Sequence, residues 1–550
     1  MHNFNELPRD PSSVAMMLDA PPRPSTLEVG AKVGSPVKST SKEWLVLFAL
    51  LALVFLFGSY YIVRSGGGQT ADDDAQASFI RSMGKSGSLI PSGDVYTQGY
   101  GYAVISNAIL AFTGLDLQTL LQVVYPLLSA LLVLPAWALY RELSGSAKVA
   151  NIATLLLFIQ PEFLYVIMRA SHERITRTLM IVAIWLLVRS FRFSDRRAHF
   201  GIHLILFYSI SYALISVNSF IGNTFIFAIV TAMMAAWVIH RLFPGFESHA
   251  RDTAVRFAYV SLSLLILGYI FIFYVYPPSA HLINNLNLLF DKVLALYFGA
   301  LDPANSYAQV TSAWRSPEVL LLIFLNDYLL IAVSATIWVR YGLLWLFGKE
   351  KPPTVGIWLV WLLYSSFAFQ GAISIMADRA GMMGGNFQLR AFPSFAMAGV
   401  ALVAVSLSRV HFSLLGRLAA TGLLILLAAL SIFKVTNEPT LSNNWTFYST
   451  AELQALEWAE HHQRNSVTWV GPDNRLQRAA SLVIGQSRYN NRWDTYGPKT
   501  EARTFLFSSN VHMQHSVLDT SIPPAIIENR VYDNGTAQLF RLRPRTPQQR

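Results

Sequence analysis

Four stretches of this chain gather side chains that could do chemistry. Asp72, Asp73 and Asp74 stand in one run, followed by Ala-Gln-Ala-Ser-Phe-Ile-Arg81. Carboxylates act as general bases and as ligands for Mg2+ or Mn2+; a solvated acidic loop is the plain alternative. The second stretch is Arg169-Ala-Ser171-His172-Glu173-Arg174-Ile-Thr176-Arg177, set between two apolar segments. Ionisable groups at such a boundary are costly and tend to be functional. Arg169, Arg174 and Arg177 carry the planar fork that matches phosphate oxygens, and an internal ion-pair cluster is the competing reading. The third stretch, 277–317, is a long outer loop, and a loop of that length is functional or disordered. In the fourth, Arg390 opens an apolar run in Gln388-Leu-Arg390-Ala-Phe-Pro393. It reads as a further phosphate ligand or as an interfacial arginine whose head snorkels to water.

The elements that must position these groups are membrane helices. The chain has 550 residues, of which 53% are hydrophobic and 13% charged, against roughly 25% charged in soluble domains. It contains no cysteine, which excludes disulfides, thiolate metal sites, Fe–S clusters and a cysteine nucleophile. The net charge of +10 reads as basic loops on the inner side of a membrane. No basic run interleaves with aromatics, so nucleic acid is not an expected partner. P-loop, HExxH and GxSxG motifs are absent.

Apolar runs of spanning length occur at 44–63, 117–140, 148–168, 175–191, 202–220, 222–242, 254–276, 318–346, 356–376, 391–408 and 414–434. That predicts about eleven spans, with the turn between the fifth and sixth at Gly222. Basic residues such as Arg189, Arg192, Arg196, Arg197, Arg409 and Arg417 fall in alternate loops. By the positive-inside rule the N-terminus is cytoplasmic and the segment after the last span is outside. The expected fold class is a polytopic α-helical membrane protein with a C-terminal extracytoplasmic α/β domain. Residues 1–43 read as a disordered cytoplasmic tail. Residues 44–435 read as a transmembrane domain whose outer loops 64–116 and 160–177 carry the chemistry, and 436–550 as the soluble domain. In that domain a helix is expected over 449–464, strands over 467–470 and 504–508, and a hairpin on a type I′ Asn534-Gly535 turn.

The order of these parts resembles the GT-C superfold of polytopic membrane glycosyltransferases. These use polyprenyl-phosphate or -pyrophosphate sugars, and they include STT3-type oligosaccharyltransferase subunits and protein O-mannosyltransferases. The likeness runs from about 44 to 542 and rests on weak matches in the right order. It implies that an acid of the Asp72–Asp74 run is the essential carboxylate, as base or metal ligand, with Asp74 the first choice and Asp73 the second. It implies that His172 and Glu173 fill the place of an acid/His motif that binds a divalent metal with Asp74. Ser171 stands near where the usual first acid would be. It implies that Glu173 joins the catalytic set, and that Arg169, Arg174 and Arg390 grip the lipid-linked phosphate.

The cofactor so implied is Mn2+ or Mg2+. The partners are a polyprenyl-linked donor, a protein, lipid or glycan acceptor, and the bilayer. STT3-type subunits carry a WWDYG motif; here Arg492-Trp-Asp-Thr-Tyr-Gly497 has one residue inserted, so N-glycosylation of sequons is not the main expectation. The expected activity is inverting transfer of a sugar or glycan at the extracytoplasmic face, at the plasma membrane if the host is prokaryotic. The alternatives are a lipid or solute transporter, or a non-catalytic member of the fold. A transporter would need mid-span charges, and Asp327, with no obvious partner in the sequence, is the main one.

Overall fold

The computed structural model describes residues 41–65, 71–91, 95–168, 172–192, 197–243, 247–300, 317–347, 355–380, 387–436, 450–462, 468–470, 489–490, 504–509 and 529–541. The expected tail falls outside them up to residue 40.

The helices run α1 (Ser41–Ser65), α2 (Ala71–Ser86), α3 (Gly101–Thr113), α4 (Leu117–Ser144), α5 (Ala147–Phe158), α6 (Pro161–Met168), α7 (Glu173–Arg192) and α8 (Arg197–Val217). They continue as α9 (Ser219–Leu242), α10 (Glu247–Ile270), α11 (His281–Tyr297), α12 (Pro317–Leu346), α13 (Val355–Arg379), α14 (Phe387–Arg409), α15 (Leu414–Thr436) and α16 (Thr450–His462). Among the described residues nine helices are long and apolar enough to cross a membrane. The protein is thus an integral membrane protein built mainly of helices.

The difference from eleven has physical causes. The run 148–168 is not one helix: it divides at Ile159–Gln160 into α5 and α6, with Pro161 opening the second. The run 175–191 is one helix, α7, but its head carries Glu173, Arg174 and Arg177, which removes it from the purely apolar class.

Local signals fix the turns. Gly145, at φ +69°, ends α4 by returning its N–H to Arg141 O, and Ser146 then caps α5. Asp116 caps α4 by accepting from Thr119 N at 2.8 Å, which holds its carboxyl below the usual aspartate range. The turn between α8 and α9 falls at Asn218, four residues before the expected Gly222. Asn218 Oδ1 accepts from Ile221 N at 3.1 Å, the geometry of an N-cap. Gly222 instead gives α9 room against α8, since a Cβ there would lie 2.8 Å from Ile215 Cα. The α14 helix is the most enclosed of the spans, lying against α5, α12 and α13. At the opposite end of the bundle from Arg390, Trp338 and Trp358 stack on Trp361 and Trp345 meets it edge-on, with Trp361 Nε1 donating to Trp338 O.

Asp327 has partners after all. Lys434 of α15 is paired with Glu162 of α6 and, at 3.3 Å, with Asp327 of α12. Next to this triad Asn326 Nδ2 donates to Leu427 O and to Ile159 O at the α5–α6 break. The charge that a transporter would have to move is therefore engaged in joining three helices.

Beyond the bundle, five strands form one sheet: β1 (Thr468–Val470), β2 (Tyr489–Asn490), β3 (Thr504–Ser509), β4 (Arg530–Asp533) and β5 (Ala537–Arg541), in the order β2-β1-β3-β5-β4. The β1 strand pairs parallel with β2 and β3, and β5 pairs antiparallel with β3 and β4. With α16 this is the expected α/β composition. The hairpin turn is centred one residue later than expected: Asn534 N donates to Ala537 O across Gly535 (φ +84°) and Thr536. Asn534 Oδ1 accepts from Ala537 N, and its Nδ2 ties the hairpin to Ala451 O of α16.

Candidate functional site

One end of the bundle collects the expected groups, because α7 and α14 both start there and α8 ends there. Three of the expected residues form the head of α7. His172, Glu173 and Arg174 are all buried. Arg390 stands half-buried on the first turn of α14. Asp72, Asp73 and Asp74 lie on the first turn of α2; their side chains, and the whole of Arg169 with Ser171, lie outside the described residues.

Arg177 ties the two helix heads together. It is completely buried; Nη1 donates to Ser394 Oγ at 2.6 Å and Nη2 to Arg390 O at 2.6 Å. It also feels the charge of Glu173, four residues earlier on the same face, and the like charge of Arg390. Arg177 thus holds the backbone of Arg390 in place and has both terminal nitrogens committed. Arg174 Nη1 donates to Ser129 Oγ at 3.3 Å, and its guanidinium lies 5.9 Å from the centre of the Tyr125 ring. Asp378, at the end of α13, has a structural role. Its oxygens accept from Phe387 N (2.9 Å) and Gln388 N (3.0 Å), capping α14. An anion near Arg390 would therefore meet side chains rather than the free N–H groups of that helix end.

His172 is the hub of a second network. Its Nε2 lies 2.7 Å from Asn218 Nδ2 and 3.3 Å from Tyr96 Oη; its Nδ1 lies 3.4 Å from Gln76 Nε2. The amide of Asn218 cannot rotate without losing the cap of α9, so Nδ2 donates and Nε2 accepts. The ring is then neutral with its proton on Nδ1. That proton needs an acceptor. Gln76 Oε1 is buried without a hydrogen-bond partner, and turning its amide over satisfies both groups. Use of His172 as a metal ligand would require it to release Asn218 or Gln76. Among the described residues no three His, Asp or Glu side chains stand close enough to hold a metal ion.

The Tyr/Gly stretch 96–102 positions this network. Gly99 has φ +137°, and a Cβ on it would stand 2.2 Å from Ser216 O; one on Gly101 would stand 2.6 Å from Ser216 Oγ. Only bare backbone approaches α8 so closely. The stretch is then fixed by Ser219 N donating to Gln98 O (2.6 Å), Tyr276 Oη to Tyr96 O (2.7 Å) and Ser279 Oγ to Thr97 O (3.1 Å). Burial raises the Tyr276 hydroxyl above the usual tyrosine range. Burial, then the bond to Tyr212, does the same for Tyr100. Both remain neutral hydrogen-bonding groups.

Sequence reasoning missed Gln76, Asn218, Ser129 and Ser394. Only Asn218 had a readable signal, since Asn-Ser ahead of an apolar helix is an N-cap pattern.

No protein-family model matches the chain, and no curated protein matches it by sequence. Solved structures do match by shape. One is the archaeal oligosaccharyltransferase AglB from Archaeoglobus fulgidus, in complex with an inhibitory peptide and a dolichol-phosphate. It has TM-score 0.52 and 11% identity, and the match covers 86% of this chain and 70% of that one. Another is ArnT from Cupriavidus metallidurans bound to undecaprenyl phosphate, with TM-score 0.50 and 13% identity over 91% of this chain and 98% of that one. At these identities the likeness concerns shape: the chain has the fold of the GT-C membrane glycosyltransferases.

Proposed function

We propose that the protein is a membrane glycosyltransferase that moves a sugar or glycan from a polyprenyl-linked phosphate or pyrophosphate to an acceptor. The reaction takes place at the extracytoplasmic face, with the N-terminus cytoplasmic. The observation that carries this reading is the gathering of Arg174, Arg177, Arg390, Glu173 and His172 at one end of a bundle with this fold. Arg174 and Arg390, with Arg177 behind them against Glu173 and with Asp378 taken up by the α14 cap, suit an anionic headgroup at the membrane boundary. The two neighbours, each solved with a polyprenyl-type phosphate, support the same ligand class.

In the reaction the acceptor attacks the anomeric carbon, its bond forming as the bond from that carbon to the phosphate oxygen breaks on the opposite side. Configuration inverts. The acceptor proton passes to a carboxylate of the Asp72–Asp74 run, and the lipid phosphate leaves with the electron pair. Arg390 and Arg174 stabilise the charge that grows on it. Asp74 is the first candidate for this base and Asp73 the second, both on the first turn of α2. Glu173 keeps Arg177 compensated. A divalent metal, with Asp74 and Glu173 as carboxylates of the expected set, would supply Lewis-acid assistance to the departing phosphate.

The test is the purified full chain with a panel of polyprenyl-phosphate and -pyrophosphate sugars, with and without Mn2+ or Mg2+, read as released lipid phosphate. Release is expected, and it should be lost when Asp73→Asn and Asp74→Asn are combined. No release together with no saturable lipid-phosphate binding would overturn the reading.

A further inference from the structure

The α11 helix lies outside the spans and is not used by the chemistry above. Its residues sort into three sectors around the helix axis. Leu289 and Val293 pack on Ala377 and Ala380 of the α13–α14 corner, beside Phe387. A polar sector carries Asn284, Asn287 and Asp291, with the exposed Leu288 and then Lys292 and Asn285 at its far edge. Between these, Leu286, Phe290, Leu294 and Tyr297 form an apolar sector that is 55%, 67%, 53% and 83% exposed. A helix with one side on protein and one side polar leaves the third side for a further apolar partner.

The level of the helix says which partner. It packs at Ala377 and Ala380, next to Ile375 and Met376, which are exposed at the last turn of a membrane span. It follows the span Val255–Val275, formed by α10 and the turn after it, whose end exposes Phe273 and Tyr274. The apolar sector of α11 is therefore continuous with the lipid-facing surface on both sides. We infer that α11 is an in-plane interfacial helix. Its Leu286–Phe290–Leu294–Tyr297 side is bedded in the acyl chains of the leaflet on the side of the candidate site, and its asparagine side faces water.

The helix is also tied to the site. Nε2 of His281 and Thr97 Oγ1 stand 3.4 Å apart, and Thr97 O accepts from Ser279 just before the helix. Its packing on Ala377, Ala380 and Phe387 reaches the corner from which Arg390 projects. The α11 helix thereby forms the partition between bilayer and site.

The absence of cysteine makes the test direct. Single cysteines replace Asn284, Leu286, Leu289, Phe290 and Leu294, one per chain, and carry a nitroxide in lipid nanodiscs. Collision with dissolved oxygen and with a water-soluble nickel chelate is then measured by electron paramagnetic resonance. Labels at 286, 290 and 294 should favour oxygen over nickel several-fold, the label at 284 should show the reverse, and the label at 289 should be shielded from both. Equal nickel access at 284 and 290 would place the helix in water and overturn the proposal. Shielding of 286, 290 and 294 from both reagents would overturn it too, by showing that protein, from this chain or a second copy, covers that side. The readout needs no enzymatic activity, and three independent positions on one face keep it decisive if one variant folds poorly.

Discussion

Replacing Arg177 with lysine keeps the charge and removes the fork, so it isolates what the guanidinium geometry contributes. Two nitrogens of Arg177 serve two acceptors on α14, Ser394 Oγ and Arg390 O, each at 2.6 Å. A single ammonium nitrogen on a differently shaped stem cannot occupy both places. At least one charge-assisted bond is lost, about 1.5–3 kcal/mol, and a buried acceptor is left without its donor. The attraction to Glu173 survives, so the larger cost of an uncompensated buried carboxylate is avoided. If the loss is expressed as misplacement of Arg390, with each 1.36 kcal/mol a factor of ten, transfer falls by about 10- to 150-fold. The assay is release of lipid phosphate from the donor, resolved into kcat and KM, beside thermal unfolding in the same detergent. Arg390 is read as a phosphate ligand, so KM should rise as well as kcat fall. Ser394→Ala alone should cost less than Arg177→Lys, and the double variant should be no worse than the sum of the two, because they share one bond. An Arg177→Lys protein within twofold of wild type, with unchanged unfolding, would refute the account of Arg177 as the tie between α7 and α14.

Gly99→Ala should be far worse than Gly87→Ala by thermal unfolding. Both glycines have positive φ, but Gly87 has nothing within 4 Å of a new Cβ, whereas Gly99 has Ser216 O at 2.2 Å; equal losses would refute the close-approach argument. Lys434→Met should destabilise by about 3–5 kcal/mol by stranding Glu162 and Asp327. Adding Glu162→Gln and Asp327→Asn should recover most of that, and a single variant as stable as wild type would end the idea that the triad joins α6, α12 and α15. Asn218→Ala should lose both the α9 cap and the His172 contact, about 1–3 kcal/mol together. Asn218→Asp should keep the cap but present an acceptor to Nε2, so the ring proton moves there from Nδ1. An unchanged imidazole nitrogen spectrum in that variant would disprove the tautomer assignment.

The spans were legible because long apolar runs have one physical outcome in a chain of this composition. The two exceptions show the limit of that signal. At 148–168 hydropathy saw no break, because it does not weigh Pro161; Asn326 and Ser431, from distant helices, take up the Ile159 carbonyl that the break leaves free. At α7 it counted a span whose charged head is tolerated only because α14 supplies partners for Arg177. The site was half legible. Residue type pointed to His172, Glu173, Arg174 and Arg390, and the fold gathers these on one end. Their supports were not readable, because Ser129, Ser394 and Gln76 are ordinary residues that matter only by contact. The Tyr/Gly stretch reads as a loop from its composition. What it does, laying bare backbone on the end of α8, depends on Ser216 more than a hundred residues away. The hairpin turn shifted by one because the Asn534 side chain, rather than its carbonyl, closes it.

The tie between Arg177 and α14 has a consequence for how the molecule is made. Its partners, Arg390 and Ser394, lie 213 and 217 residues downstream. At a synthesis rate of about 5–20 residues per second, the guanidinium waits about 10–40 s after its own appearance before either exists. During that time α7 must wait at the insertion machinery or enter the bilayer with Glu173 as its nearest counter-charge. Loss of Glu173 would then be felt first as chains discarded during biogenesis, before any finished protein is available to turn over a substrate. The yield of inserted protein, compared between Glu173→Gln alone and Glu173→Gln with Arg177→Met, separates that early role from any part in the chemistry.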